Sequence, residues 1–375
     1  MVPRDKMTAS ARKLRDTYAI TPGAPFLRRE FGYYCIERWQ QVDGLSPDAS
    51  FAELFQYEAS GDFGLGGLGW CEAEFCPYFD EMILEDRGEY ELVQDYAGRA
   101  VLYFKGRRDG FMPEYVDHPV KDWKTWDENV KWRLDPKSPE RLAELDQKMA
   151  RAVQAAAEGK MIQGRLIGLY MYLRSLIGPT ELLYMVYDQP DLIHDCCQTW
   201  LALANFMMEQ HQRHVTIDEV FFGEDICFNH GPLISPDMMR EFILPYYGQL
   251  LTGVRSRNID RSRHVYVQID TDGYSVPVID LYKEIGMDCM SPFEVASGCD
   301  VVQIGRDYPD LVIQGGIDKR VLAQGEEAID EMVERIFPAM RERGGYVPTC
   351  DHGVPAEVSL ESYLHYRKRA VELGG

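Results

Sequence analysis

Five successive apolar runs in the second half of the chain each finish in ionisable side chains: Glu224 and Asp225, Asp270 and Asp272, Glu294, Asp318 and Lys319, and Asp351 and His352. Any one of these reads equally well as a helix N-cap or a solvated loop charge, because aspartate is favoured just before helices. Five in succession point instead to one site. Asp270-Thr271-Asp272-Gly273 is the densest of them. Residues two apart on an extended strand face the same side, so both carboxylates can address one point, and the glycine permits a tight turn close to a ligand. Two carboxylates in one apolar pocket repel unless a cation or a shared proton intervenes. With His352 added, the trio has the composition of an oxygen-rich divalent-metal site carrying one imidazole, with zinc the first choice of ion.

Other chemistry stays open. Asp351 and His352 can form an acid/base pair, and Glu224 and Glu294 can handle protons if partly desolvated. Lys319 can supply a counter-charge or bind an anionic substrate. Cys350 ranks below His352 as a ligand. Tyr33, Tyr34, Tyr170, Tyr172 and Phe293 can wall an apolar pocket for a flat substrate, against the ordinary fate of core packing.

These side chains need a frame that brings strand ends together. The candidate strands are residues 161–170, 217–225, 263–273, 287–294, 310–319 and 344–353, separated by longer amphipathic runs such as PDLIHDCCQTWLALANFMMEQHQRH. That alternation is the mark of repeated βα units, and charged groups at successive parallel strand ends converge on the C-terminal rim of a barrel. The expected fold is therefore an α/β, (β/α)8 TIM barrel with an N-terminal β-hairpin and loop embellishment. One domain spans 1–375, with an irregular insertion at 60–135. Within it, residues 89–105 alternate and turn at Ala97-Gly98, as a hairpin does, and Ser138-Pro139 opens a helix running to about residue 159. A doubly wound sheet competes, but no GxGxxG follows a strand.

Charge excludes other classes. With 61 acidic against 40 basic residues the net charge is −21, which repels nucleic acid. No run approaches the roughly 20 apolar residues that span a bilayer, and the N-terminus lacks a secretory h-region, so a cytoplasmic protein without membrane partners is expected. Nine scattered cysteines, an odd number without CxxC spacing, read as reduced thiols.

The runs GPLISPDMMREFILPYYGQL (231–250), GGIDKRVLAQGEEAID (315–330) and GGYVPTCDHGVPAEVSLESYLHYRK (344–368) resemble those of the uroporphyrinogen decarboxylase superfamily, over roughly residues 160–372. The resemblance implies a (β/α)8 barrel and either of two activities: tetrapyrrole decarboxylation without cofactor, or methyl transfer to or from corrinoid proteins. The decarboxylases carry an arginine-rich segment that holds substrate carboxylates and an FSDI-like segment. Here FLRREFGYYCIERW (26–39) keeps Arg28 at the first arginine, places Gly32 at the second, and no FSDI-like run follows. The thiol methyltransferases carry an HxCG motif and a later cysteine as zinc ligands. Those positions fall on Asp270, Asp272 and His352, a harder donor set that suits an oxygen-bearing methyl donor. The resemblance thus implies an O-demethylase type of corrinoid-dependent methyltransferase. Its metal would polarise the leaving oxygen, and its methyl would pass to cobalamin carried by a partner protein. Glu224 would be a possible fourth ligand, Glu294 and Lys319 would manage substrate or proton, and Arg28, Tyr33, Tyr170 and Phe293 would contact substrate. A homodimer is expected by analogy alone, and a barrel without catalysis serving as a scaffold is the third option.

Overall fold

The computed structural model describes residues 2–107 and 113–375. Seven parallel strands form a curled sheet in the order β1 (Asp62–Leu65), β2 (Met161–Ile167), β3 (Glu219–Gly223), β4 (Tyr266–Asp270), β5 (Cys289–Ser291), β6 (Val312–Gln314) and β7 (Tyr346–Val347). Neighbours in space are neighbours in sequence, with helices in every connection. This is the α/β, TIM-barrel-like architecture expected from the alternation of apolar runs.

The eighth position is filled differently. Residues 26–31 carry no strand ladder, yet they lie between the two sheet edges: Phe26 packs its ring edge against Tyr346 on β7, and the Arg28 carbonyl accepts from Glu58 just before β1. Inward residues alternate along this segment. Leu27 joins Met161, Cys289 and Val312 on the barrel floor, Arg29 reaches Asp62 and Gln314 one layer higher, and Phe31 meets His352 at the rim. The floor is closed by the helix Ala9–Tyr18, which inserts Leu14 and Tyr18 into the same apolar layer.

The outer helices bury faces at helical spacing. In Glu326–Arg343 the buried set is Ile329, Met332, Val333, Ile336, Phe337 and Met340. Serine hydroxyls cap the helices Pro236–Phe242 and Leu360–Gly374, Ser235 accepting from Met238 N and Ser359 from Ser362 N.

The stretch 60–135 differs from its expectation in two ways. It contains β1, and its remainder includes a regular four-stranded antiparallel sheet of Met82–Arg87, Tyr90–Gln94, Ala100–Phe104 and Glu114–Asp117. The second and third of these pair across the turn at Ala97-Gly98, with Asp95 accepting from Ala97 N and Arg99 N. The helix after Ser138 is broken into Pro139–Leu142 and Leu145–Ala157. The nine cysteines are free thiols. No helix among the described residues is long and apolar enough to cross a membrane.

Candidate active site

The turns after β3, β4 and β5 are tied to one another by backbone groups. The Asp270 carbonyl accepts from Glu224 N and Asp225 N at 2.8 and 3.2 Å, and the buried Thr271 hydroxyl accepts from Ile226 N and Cys227 N, each at 3.1 Å. Gly273 has φ +80°, and a Cβ there would stand 2.7 Å from the Phe228 carbonyl oxygen, so only glycine fits. Its N–H donates to Glu294 Oε2 at 2.9 Å. Thr271 is thereby consumed by the loops, while Asp270 and Asp272 are left to the rim.

Asp270 pairs across the ladder with Ser291, whose hydroxyl donates to Asp270 Oδ2. Burial pushes the Asp270 carboxyl up to about 6, with the nearby Asp225 charge adding to it. Asp272 is 41% exposed at its side chain, yet it rises further, to about 7. Burial is the first cause; repulsion from Asp225, Asp270 and Glu294 follows, and Lys319 partly offsets them. His352 Nε2 lies 3.9 Å from Asp272 Oδ2, and its Nδ1 is 3.3 Å from the Tyr34 hydroxyl. Its ring stacks on Tyr34, and burial with the Lys319 charge lowers its pKa. Near neutral pH Asp272 is therefore able to hold and release a proton beside an imidazole that favours its uncharged form. Lys319 Nζ sits 3.4 Å from Glu294 and 3.9 Å from Asp351. Asp351 is buried and fixes the surrounding loops by accepting from Val295 N and Lys319 N.

The structure thus gathers Asp270, Asp272, Glu294, Lys319 and His352 at one rim. Several other expected residues lie elsewhere. Glu224 is fully buried, accepting from Tyr170 N at 2.9 Å and from the Tyr247 hydroxyl, which itself accepts from Leu169 N at 2.6 Å. It anchors the first turn of Leu169–Ile177, and burial pushes it up to about 8. Tyr170, Tyr172 and Phe293 are core residues with 0–1% exposure. Tyr33 turns away into a cluster with Tyr57 and Tyr363; its neighbour Tyr34, 63% exposed, faces the site. Arg28 points outward to Glu58 at 3.3 Å, and Arg29 points into the barrel instead. Cys350 is buried beside Glu30, and Asp318 pairs with Arg320.

The metal-ligand trio does not assemble. Bonds of about 2.1 Å place tetrahedral donors roughly 3.4 Å apart. Asp272 and His352 come near that at 3.9 Å, while Asp270, bonded through Oδ2 to Ser291, does not join them in a three-ligand group. Among the described residues no three histidine, cysteine, aspartate or glutamate side chains are gathered to hold an ion.

Residues not picked out from the sequence also line the barrel. Arg165, Phe221 and Trp70 stand beneath the acidic rim, and Gln163, Glu219 and Gln268 form a polar layer over the floor. Their signal was present as polar residues at alternate positions, Gln163/Arg165 and Gln268/Asp270, in strands otherwise apolar.

Residues 110–371 match the family described as Uroporphyrinogen decarboxylase (URO-D), and the chain belongs to that family. Curated relatives include a uroporphyrinogen decarboxylase of Geobacter metallireducens, 28% identical over 145 residues, and one of Geotalea daltonii, 26% identical over 144. Each alignment covers 36% of this chain and 37% of the relative, so the match spans little more than a third of either protein. Among solved structures, a methyltransferase from Methanosarcina mazei shares the fold with TM-score 0.58 at 13% identity, covering 96% of this chain and 98% of that one.

Proposed function

We propose that the chain is a methyltransferase that removes a methyl group from the oxygen of a small methyl ether and passes it to cobalamin carried by a separate corrinoid protein. The observation that carries this reading is the crowding of carboxylates at the rim, with Asp272 set among Asp225, Asp270 and Glu294 and 3.9 Å from the His352 imidazole. Asp272, raised to about 7 among three other carboxylates, is a donor matched to an oxygen leaving group near neutral pH. As the methyl–oxygen bond breaks, its electron pair stays on oxygen. Asp272 gives that oxygen its proton, and the neutral His352 imidazole beside it is placed to relay the replacement. The corrinoid supplies the electron pair that forms the new bond to carbon. Glu294, held by Gly273 N and Lys319, and Asp270, held by Ser291, keep in place the charges that maintain the Asp272 proton. The proton of Asp272 takes in this reading the part of a Lewis acid on the leaving oxygen.

The names of the curated relatives favour a second reading, decarboxylation of a tetrapyrrole, in which the same acid protonates carbon. A substrate with many carboxylates needs several unpaired cations, whereas Arg28 is bound to Glu58 and the rim is itself acidic. The deciding experiment mixes the protein with a panel of aryl and alkyl methyl ethers and Co(I) cobalamin, following methylation by visible absorbance with and without a chelator. Methylation insensitive to chelator is expected. Chelator-sensitive methylation would restore metal assistance, and coproporphyrinogen formed from uroporphyrinogen without any methylation would establish the decarboxylase.

A further inference from the structure

Six of the seven β2 residues are buried, and Arg165 alone is exposed. A Cβ on Gly164 would strike Met208 of the helix Pro190–Gln212, so Gly164 faces outward and Arg165 faces the barrel interior. An exposed side chain there means open space inside the barrel at that level. On β1, Gly64 makes room for it, since a Cβ would lie 2.9 Å from Arg165 Nε and 3.2 Å from Cζ.

The cations around the barrel mouth and interior described here otherwise have carboxylates, Arg174 of the helix Leu169–Ile177 included. Arg29 is taken by Asp62, Arg174 by Asp225 and Lys319 by Glu294. Arg165 donates through Nε to Gln163 and its charge helps lower the pKa of Asp62, but among the described residues it forms no ion pair within 4 Å, Asp62 being bonded to Arg29. Its two terminal nitrogens, the pair that grips a carboxylate in parallel, remain open.

An aromatic wall runs from this cation toward the acid. Phe221, the ladder partner of Arg165, stacks on Trp70 at 5.5 Å and 8°, and Trp70 is 50% exposed. Two residues further along β3, Gly223 leaves the space beside Trp70 free and pairs with Asp270 on β4. Two residues along one strand and two strand spacings across separate the Arg165 and Asp270 backbones by roughly 12 Å. The guanidinium arm and the carboxylate arms narrow that gap to about the length of one substituted ring.

We propose that Arg165 anchors the substrate by its carboxylate, the substrate being a flat monocarboxylic acid that lies along Trp70 and presents its methylated oxygen, at the far end, to Asp272. This rests on the methyl-transfer reading for the last contact only; the anion site stands on Arg165, Gly64 and Trp70.

Calorimetric titration of the chain alone with 4-methoxybenzoate and 4-methoxycinnamate, each against its neutral amide, tests it. The wild type binds at least one acid ten or more times tighter than its amide. Arg165→Gln abolishes the preference, Arg165→Lys keeps part of it, and Gly64→Ala weakens acid binding by crowding the guanidinium while leaving its charge. Absence of any acid preference in the wild type, or its survival in Arg165→Gln with an unchanged melting temperature, overturns the proposal. If Arg165→Gln does not fold, Gly64→Ala decides: acid affinity unchanged there also overturns it. An Arg165-dependent preference without methyl transfer would keep this site and discard the methyl-transfer reading; equal transfer from acids and amides would do the reverse.

Discussion

The antiparallel sheet at 82–117 and the barrel rim use the same side chains to opposite ends. In the sheet region, Arg99 is 8% exposed and lies 2.7 Å from Asp95 and 2.8 Å from Glu72, with its guanidinium over the Tyr115 ring. Lys105 faces Asp86, and Arg87 faces Glu85 at 2.7 Å. Each of these carboxylates is in direct contact with a cation, Asp95 and Glu72 sharing Arg99. At the rim, Asp225, Asp270, Asp272 and Glu294 meet only Arg174 and Lys319, so the excess repulsion is relieved by keeping protons. Balanced charge fastens a structure, and unbalanced charge in a partly dry site stores a transferable proton.

Removing the sheet's central cation is the severest test of that contrast. Arg99→Ala leaves two carboxylates with little solvent and no cation, and unfolding free energy is expected to fall by about 3–5 kcal/mol in urea titrations. Methyl transfer per folded molecule stays unchanged. A loss below about 1 kcal/mol would make this pairing no stronger than a surface bridge.

At the rim the order of effects reverses. Asp272→Asn is expected to lower kcat for methyl transfer by about 100-fold or more, because the proton donor is gone, while the melting temperature holds. Full activity in this variant would remove the rim from the chemistry.

The pH profile sharpens the point. Asp272 acts in its protonated form, so kcat is level below about 7 and falls tenfold per unit above it. Lys319 holds that pKa down, so Lys319→Met moves the falling limb to higher pH. A limb that stays in place would assign the titration to another group.

Glu224 tests the comparison away from both regions, and near pH 5 its replacement is expected to have the smallest effect of all. Its folded pKa of about 8 lies above that of the unfolded chain, so the folded state binds the extra proton between about 4.5 and 8. Stability is therefore full below that window and declines as pH rises through it, by up to about 1.4 kcal/mol per unit. Glu224→Gln, which has no proton to lose, should flatten this slope in melting curves recorded from pH 5 to 9, with little change near pH 5.

Parts of this site were legible because the code for them is local. Apolar runs ending in acids mark strand ends whatever packs around them, and parallel strands point those ends the same way. Asp270, Asp272, Glu294, Lys319 and His352 were readable on that ground, as was the Ala97-Gly98 turn. Parity was harder. Tyr33 and Tyr34, or Arg28 and Arg29, are adjacent residues on opposite faces, and a segment without a ladder gives no sign of which face is inward. The bonds that hold Glu224 and Asp270 were hidden for a different reason. Tyr247, 23 residues away from Glu224, and Ser291, 21 residues away from Asp270, donate to their carboxylates.

By itself, then, the amino-acid order determined the alternating α/β plan, the acidic character of the rim and the residues able to carry a proton there. Tertiary structure alone decided which acids were already bonded, which remained crowded enough to keep a proton, and which cation among the described residues was left without an ion pair. Hydrogen bonds and repulsion depend on distance through space, and residues far apart in sequence acquire such distances only when the strands close around a common interior.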